Sequence, residues 1–169
     1  MPRIALLIAD GFEDSEFLYP YTHLLDAKFH VDVIAEKSGL YTGQHGEKAL
    51  ATLPVTDAAA TDYDALFIPG GKAPEKLCEI PEMISFVQAC DARQQILCAV
   101  CHGPLLLAEA GLLKNRTVTG YKATKERLLD AGAFYTGNSV ETDGRIITAR
   151  DPGSLPEMTQ RLIAALQEI

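Results

Sequence analysis

The pair Cys101-His102 is the part of this sequence best suited to nucleophilic chemistry. It follows the apolar run Ile96-Leu-Cys-Ala-Val100 and precedes Gly103-Pro104, a pattern typical of a helix start. A sharp strand-to-helix turn lifts the side chain at its centre out of the sheet, which resembles the nucleophile elbow of many hydrolases. Because free N–H groups at a helix start favour negative charge, we predict a reactive Cys101 thiolate.

The other three cysteines are Cys78, Cys90 and Cys98. Cysteine packs readily in apolar interiors, and we interpret Cys90 and Cys98 as core residues. The cysteine spacing indicates neither a disulfide scaffold nor a zinc ribbon, no two histidines have metal-ligand spacing, and no phosphate-binding glycine motif is present. We therefore predict reduced thiols, a cytoplasmic protein, no metal and no nucleotide cofactor.

Short apolar runs alternate with longer amphipathic segments along the chain. This alternation predicts a single α/β domain over residues 1–169, with a doubly wound, mostly parallel sheet and helices on both faces. We expect the first helix to be capped by Asp14 or Ser15. Smaller predicted elements are a β excursion over 38–56, a strand near Thr117–Thr119, a helix near Ala123–Asp130, a hairpin over Ser139–Thr148 and a last helix opening with the capping box Ser154-Leu-Pro-Glu157.

Ligands of an open parallel sheet bind outside the carboxyl ends of its strands. The loops at those ends carry Asp10-Gly-Phe-Glu13, Pro69-Gly70-Gly71, Cys101-His102-Gly103 and Gly120-Tyr121. A carboxylate, a glycine pair and the Cys-His pair are therefore expected to face one crevice. Backbone N–H groups of Gly71 and His102 are candidates for an oxyanion hole.

The charge of the chain narrows the range of partners. Its net charge of −8 argues against a nucleic-acid or anionic-membrane partner, since both favour a basic face. No signal peptide is visible, and no apolar run approaches the roughly 20 residues that span a bilayer. We expect neither a nucleic acid nor a membrane as partner.

Five motifs resemble the PfpI/ThiJ family of intracellular cysteine proteases and glyoxalase-like enzymes, in the branch where His directly follows Cys. They occur in the family's order from the first strand to the last helix. The resemblance implies a flavodoxin-like fold related to class I glutamine amidotransferases. The motifs are Phe12-Glu-Asp-Ser-Glu16, Tyr19-Pro-Tyr21, Thr42-Gly-Gln-His-Gly46, Pro69-Gly-Gly-Lys-Ala-Pro-Glu75 and Ala99-Val-Cys-His-Gly-Pro104.

The same resemblance implies a role for each site residue. Cys101 is the nucleophile, and Glu13 is the buried, protonated acid that hydrogen-bonds its sulfur; a first-turn helix carboxylate is the alternative for Glu13. His102 is the general base or acid. Glu75 of a neighbouring subunit orients it, so the protein is expected to be a homo-oligomer; a solvated loop carboxylate is the alternative for Glu75. Gly70 and Tyr121 are expected at the pocket, although Tyr121 also fits a structural role.

Three functions agree with these residues. The first is a cysteine hydrolase of the peptidase or amidase type, with Cys101 attacking a carbonyl carbon. The second is a cofactor-independent glyoxalase or deglycase acting on aldehydes of the methylglyoxal type. The third is a stress-response redox sensor or chaperone without turnover, in which Cys101 is oxidised to a sulfinate. A small carbonyl compound or a peptide is the expected substrate.

Overall fold

The apolar runs of the sequence form the central strands of a seven-stranded sheet. The structure is a computed structural model that describes residues 1–169. Its elements in chain order are β1 (Arg3–Leu7), α1 (Asp14–Asp26), β2 (His30–Ala35), β3 (Gly39–Thr42), β4 (Lys48–Ala51), β5 (Leu53–Pro54), β6 (Ala65–Ile68), α2 (Ala73–Leu77), α3 (Pro81–Ala92), β7 (Ile96–Val100), α4 (Pro104–Glu109), β8 (Thr117–Val118), α5 (Lys125–Asp130), β9 (Phe134–Tyr135), β10 (Val140–Asp143), β11 (Ile146–Ala149) and α6 (Leu155–Gln167).

The strand order of this sheet is β10-β11-β7-β6-β1-β2-β5, and only β10 runs antiparallel to its neighbour. Helices α1 and α6 pack together on one side, while α3 and α4 pack together on the other. The predicted α/β fold with a mostly parallel sheet is confirmed. The chain winds from β1 to β2 in one direction and from β6 to β7 in the other, so a crevice opens where β1 and β6 end.

Burial explains why the central strands lack polar residues. Leu6, Leu66 and Leu97 lie on three neighbouring strands and are each 0% exposed. Parallel strands that are covered by helices on both faces have no solvent side, so every position favours an apolar residue.

Glu13 caps the first helix, and the prediction of Asp14 or Ser15 as cap is wrong. The Glu13 carboxylate oxygen Oε2 accepts hydrogen bonds from the N–H groups of Ser15, at 2.9 Å, and Glu16, at 3.2 Å. A carboxylate here satisfies N–H groups that have no partner within the helix and lies at the positive end of the helix dipole.

Asp14 instead connects α1 to the predicted β excursion, which forms the hairpin β3–β4. Its two carboxylate oxygens accept from the N–H of His45, at 3.0 Å, and of Glu47, at 2.9 Å. The hairpin lies outside the main sheet as a two-stranded sheet of its own. Its turn is therefore fixed by a side chain of the helix that starts beside the crevice.

The last helix begins without the predicted capping box. The Ser154 hydroxyl pairs with Ser139 Oγ at 2.7 Å and donates to Asp151 Oδ1 at 3.1 Å, and it makes no bond to an N–H of α6. Ser154 ends a 3₁₀ turn and already has a helical backbone, whereas a capping residue has an extended one. The capping box is therefore wrong, although the helix is present.

The remaining elements follow the prediction closely. The hairpin expected over 139–148 is formed by β10 and β11, and the helix expected near 123–130 is α5 preceded by a 3₁₀ turn. The predicted strand near Thr117 is β8, which pairs only with β9 in a small separate sheet. None of the helices is long and apolar enough to cross a membrane.

Substitution of Gly103 tests how closely the turn after β7 approaches β6. A Cβ at this position would lie 2.4 Å from the Ile68 carbonyl oxygen and 2.9 Å from the Val100 nitrogen. Because backbone atoms cannot move aside easily, Gly103→Ala should lower the free energy of unfolding in urea by about 1–3 kcal/mol. Gly153→Ala is the control, since its Cβ would meet only a carboxylate oxygen of Asp151 at 3.3 Å. Equal losses in the two variants would contradict the prediction.

Candidate active site

Cys101 stands on a turn whose backbone few side chains adopt. Its φ of 62° lies in the left-handed region, where non-glycine residues are uncommon and often functional. Its N–H donates to the Ala149 carbonyl at 2.9 Å, and its carbonyl accepts from the Tyr121 N–H at 2.8 Å. The sharp turn predicted between strand and helix is thus held by hydrogen bonds on both sides of the cysteine.

Two glycines allow the loop after β6 to pass over this turn. A Cβ on Gly70 would lie 2.5 Å from Glu16 Oε1 and 2.7 Å from the Cys101 Cβ. Gly71 has a φ of 79°, and a Cβ there would lie 2.5 Å from both the Glu13 nitrogen and the Gly11 oxygen. The loops after β1, β6 and β7 therefore meet at the sulfur, as the sheet topology predicts.

The acid beside the sulfur is Glu16, and the position predicted for Glu13 is corrected. Glu16 is 0% exposed, its Oε1 accepts from the Gly70 N–H at 2.7 Å, and its Oε2 is buried without a hydrogen-bond partner. Its charge raises the pKa of the Cys101 thiol. Glu13 also reaches the crevice, but its Oε2 is used in capping α1 and its Oε1 lies 3.6 Å from His45 Nε2.

The helical period would have identified Glu16. Glu16, Pro20 and Leu24 follow one another at intervals of four and are all buried on the inner face of α1. A carboxylate on that stripe cannot reach solvent, whereas Glu13 precedes the first turn. The motif alone does not separate the two acids, because both lie within Phe12-Glu-Asp-Ser-Glu16.

Burial changes the pKa values of the Glu16 carboxyl and the Cys101 thiol in the same direction. It raises the pKa of Glu16 to about 8, against the N–H of Gly70, which favours the carboxylate. Burial and the nearby Glu16 charge also raise the pKa of the Cys101 thiol, to about 12, while the N–H groups of Gly71 and His102 favour the thiolate. Two negative charges are unfavourable so close together and away from water, so Glu16 holds a proton at neutral pH.

His102 is placed to take the proton of the thiol. Its Nδ1 lies 3.3 Å from the Cys101 sulfur, and its ring stacks on Tyr121 with 5.0 Å between ring centroids. Burial lowers the pKa of His102, which keeps the imidazole neutral at pH 7. A neutral imidazole beside a thiol is the arrangement that general-base activation requires.

Glu75 lies on α2, a short helix where the sequence indicated only a loop, and is bound within its own chain. Its carboxylate forms an ion pair with the Arg127 guanidinium, and both side chains are about half exposed. The charge of Glu75 nevertheless acts on His102. It raises the pKa of that imidazole, while the charge of Arg127 lowers it. The contact between Glu75 and His102 of a neighbouring subunit remains a prediction.

The site opens into a cleft of about 720 Å³, a volume typical of small-molecule sites. No three His, Cys, Asp or Glu side chains are grouped so that they could hold a metal ion. Five residues line the cleft in addition to those that the sequence identified as site residues: Glu16, Gln44, Lys72, Lys76 and Pro152.

The protonated state of Glu16 should be visible in the stability of the protein. Its pKa is raised from 4.5 unfolded to about 8 folded, so its contribution is fully present below about pH 4.5 and is lost as pH rises to 8. Between these values the unfolding free energy of the wild type should fall by about 1.4 kcal/mol per pH unit relative to Glu16→Gln. Urea titrations of both proteins across this range measure the difference.

The variant Cys101→Ala distinguishes two possible protonation states of Glu16 and Cys101. In that variant Glu16 titrates without the sulfur, and the same pH-dependent loss is expected. A fall in unfolding free energy between pH 4.5 and 8 that occurs in Cys101→Ala but not in the wild type would show that the carboxyl group and the sulfur share a single proton, with the sulfur ionised. That result would contradict the conclusion that both groups are protonated at neutral pH.

Curated relatives extend over the whole chain. A protein of Pyrococcus abyssi named as a deglycase is 32% identical over 165 residues, covering 98% of this chain and 99% of its own. A Bacillus subtilis protein named "Putative cysteine protease YraA" is 34% identical over 166 residues and 98% of both chains. The Pyrococcus furiosus protein named "Deglycase PfpI" is 30% identical over 165 residues, or 98% of this chain and 99% of its own.

Solved structures have the same fold. A two-domain protein of Anabaena variabilis with DJ-1/ThiJ/PfpI-like and ferritin-like domains matches 99% of this chain with a TM-score of 0.97 and 36% identity; this chain spans 48% of its length. Drosophila melanogaster DJ-1beta matches 98% of this chain and 90% of its own, with a TM-score of 0.91 and 23% identity. The sequence pattern of the DJ-1/PfpI family matches residues 2–165, and this chain belongs to that family.

Proposed function

We propose that this protein is a Cys101-dependent enzyme of the glyoxalase or deglycase type, acting on small carbonyl compounds. The observation that carries the proposal is the contact of 3.3 Å between the Cys101 sulfur and Nδ1 of a neutral His102, within a cleft of about 720 Å³. The relatives from two Pyrococcus species that are named as deglycases support an enzyme of this type.

The first step is addition of the sulfur to an aldehyde. His102 Nδ1 accepts the thiol proton, and the sulfur forms a bond to the aldehyde carbon while the carbonyl π electrons move to oxygen. The N–H groups of Gly71 and His102, which favour negative charge on the sulfur, would stabilise this oxyanion as well. Protonation of the oxygen by the imidazolium completes a hemithioacetal and returns the base to its neutral state.

A 2-oxoaldehyde such as methylglyoxal can then rearrange without a cofactor. A base removes the proton from the former aldehyde carbon while the ketone oxygen gains one, giving an enediol. The neighbouring carbon is then protonated as the hydroxyl group on the first carbon loses its proton. The first carbon is thereby oxidised to a thioester while the second is reduced to an alcohol. Water cleaves the thioester to a hydroxy acid and the free thiol, so the net reaction adds one water to the substrate.

Hydrolysis of peptides or amides is the second candidate, because the Bacillus subtilis relative carries a protease name. The same sulfur would attack the amide carbon, and the imidazolium of His102 would protonate the departing amine. The size of the cleft favours the small carbonyl compound over a long peptide, which requires an extended groove.

Replacement of the nucleophile tests the proposal directly. Cys101→Ser should abolish the loss of methylglyoxal and the appearance of lactate, measured by proton NMR, because a serine hydroxyl is a far weaker nucleophile at neutral pH. Cys78→Ser is the matched control, since Cys78 is a half-buried cysteine outside the cleft and its thiol donates to the Leu105 carbonyl.

A panel of fluorogenic peptides, assayed with the same proteins, distinguishes the candidates. Peptide cleavage that requires Cys101, without lactate formation, would replace the proposal with a peptidase. Silence in both assays, together with selective gain of two oxygens at Cys101 in mild peroxide, would support the redox sensor instead.

The role of His102 has its own test. His102→Gln should lower kcat by about 10²- to 10⁴-fold, because it removes the base that accepts the thiol proton. The hydrogen bond of Glu16 to Gly70 does not involve the imidazole, so the fold and the buried acid should persist. Unchanged turnover in a correctly folded variant would exclude His102 as the base.

A further inference from the structure

The loop Gly120-Tyr121, between β8 and α5, contacts both residues of the Cys101-His102 pair. The Tyr121 N–H donates to the Cys101 carbonyl at 2.8 Å, and the Tyr121 ring stacks on the His102 ring with 5.0 Å between centroids. The backbone of the loop also lies close to the cysteine, since a Cβ on Gly120 would be 3.2 Å from the Cys101 carbonyl oxygen. The position of this loop therefore affects both the turn at Cys101 and the orientation of the imidazole.

A tyrosine hydroxyl ties this loop to a separate strand. Tyr135 lies on β9, 15 positions from Gly120, and its hydroxyl donates to the Gly120 carbonyl at 2.8 Å. Burial raises the pKa of Tyr135, so the hydroxyl keeps its proton at neutral pH and acts as a donor. The Thr124 hydroxyl also donates to the loop, to the Tyr121 carbonyl at 2.6 Å, but Thr124 is only three residues further along the chain.

The His102 ring has few other restraints within the chain. Its Nδ1 lies 3.3 Å from the Cys101 sulfur, and its Nε2 forms no hydrogen bond. The orientation of a histidine is usually set by the hydrogen bond that its second nitrogen makes. Here the stacked Tyr121 ring restrains the plane of the imidazole, and a carboxylate of a neighbouring subunit at Nε2 would add to that restraint.

We propose that Tyr135 is a positioning residue for His102. Its hydroxyl holds the loop Gly120-Tyr121, so that the Tyr121 ring keeps Nδ1 of the imidazole directed at the sulfur. The inference deepens the proposed function, because it concerns the base of that reaction. Tyr135 does not line the cleft, so it acts through the loop and not on the substrate.

The first experiment follows the His102 ring protons by NMR. The signals missing from His102→Gln assign these protons, and Tyr121→Leu measures how far the ring current of Tyr121 displaces them. Tyr135→Phe removes one hydroxyl and keeps the aromatic ring. It should move the His102 signals part of the way toward their positions in Tyr121→Leu, because the loop loses its contact with β9.

The second experiment measures the sulfur itself and needs no substrate. Alkylation of Cys101 by iodoacetamide at pH 7 requires the thiol to lose its proton, and peptide mass spectrometry gives its rate. Tyr135→Phe should slow this reaction by about 2- to 10-fold, the change in population that corresponds to one neutral hydrogen bond. In the Tyr121→Leu background the same change should have little further effect, because the ring through which it acts is absent.

Tyr41→Phe is the matched control. The Tyr41 hydroxyl donates to the Lys37 carbonyl at 2.8 Å, the same distance as in the proposed contact, and Tyr41 lies on β3 outside the cleft. This variant should leave both the His102 signals and the alkylation of Cys101 unchanged.

Three results would overturn the proposal. They are unmoved His102 signals in Tyr135→Phe, an equal movement in Tyr41→Phe, and an equal slowing of alkylation by Tyr135→Phe with and without the Tyr121 ring. Because neither readout is turnover, a protein inactive on carbonyl compounds would overturn the proposed function while these tests still decide the role of Tyr135.

Discussion

The left-handed backbone at Cys101 is the constraint on which the rest of the site depends. Such a conformation costs a non-glycine residue roughly 1–3 kcal/mol and persists only where the surroundings impose it. Here β11 supplies a carbonyl acceptor on one side and the loop at Tyr121 an N–H donor on the other. The sheet therefore supports the strain, and the turn directs the sulfur toward the crevice rather than into the core.

The same turn determines which neighbours the sulfur has. With the side chain lifted out of β7, the loop after β6 can cross it only if residues 70 and 71 lack a side chain. That close crossing excludes water from the Glu16 carboxyl, which explains why this acid retains a proton at neutral pH. At neutral pH the Glu16 carboxyl and the Cys101 thiol each hold a proton, and the His102 imidazole is neutral. The reactivity of the sulfur therefore depends on how its proton moves to the imidazole, and not on the pKa of one group alone.

Much of this site could be predicted from the sequence because it lies where topology places it. The apolar runs predict the strands of a parallel sheet, and the loops of such a sheet converge at the carboxyl ends of its strands. Cys101 follows a strand at that edge. The sequence motif indicates Glu13 as the buried acid and the structure has Glu16, since a motif shows that an acid is present but not which way the helix turns. Ser154 does not cap the helix because its hydroxyl is used by Asp151, three residues earlier in the same turn, and by Ser139 of another segment. The Arg127 pair, separated by 52 positions, has no local signal at all.

The hairpin β3–β4 contributes to the lining of the cleft but not to the sheet that carries the reactive residues. Its turn brings Gln44 to the lining of the cleft and is anchored to α1 by Asp14, yet its strands lie outside the seven-stranded sheet. Insertions or deletions in this ribbon would reshape the opening without moving the sulfur, the imidazole or the buried acid. Substrate preference can therefore diverge among descendants of such a chain while the reactive centre is inherited unchanged.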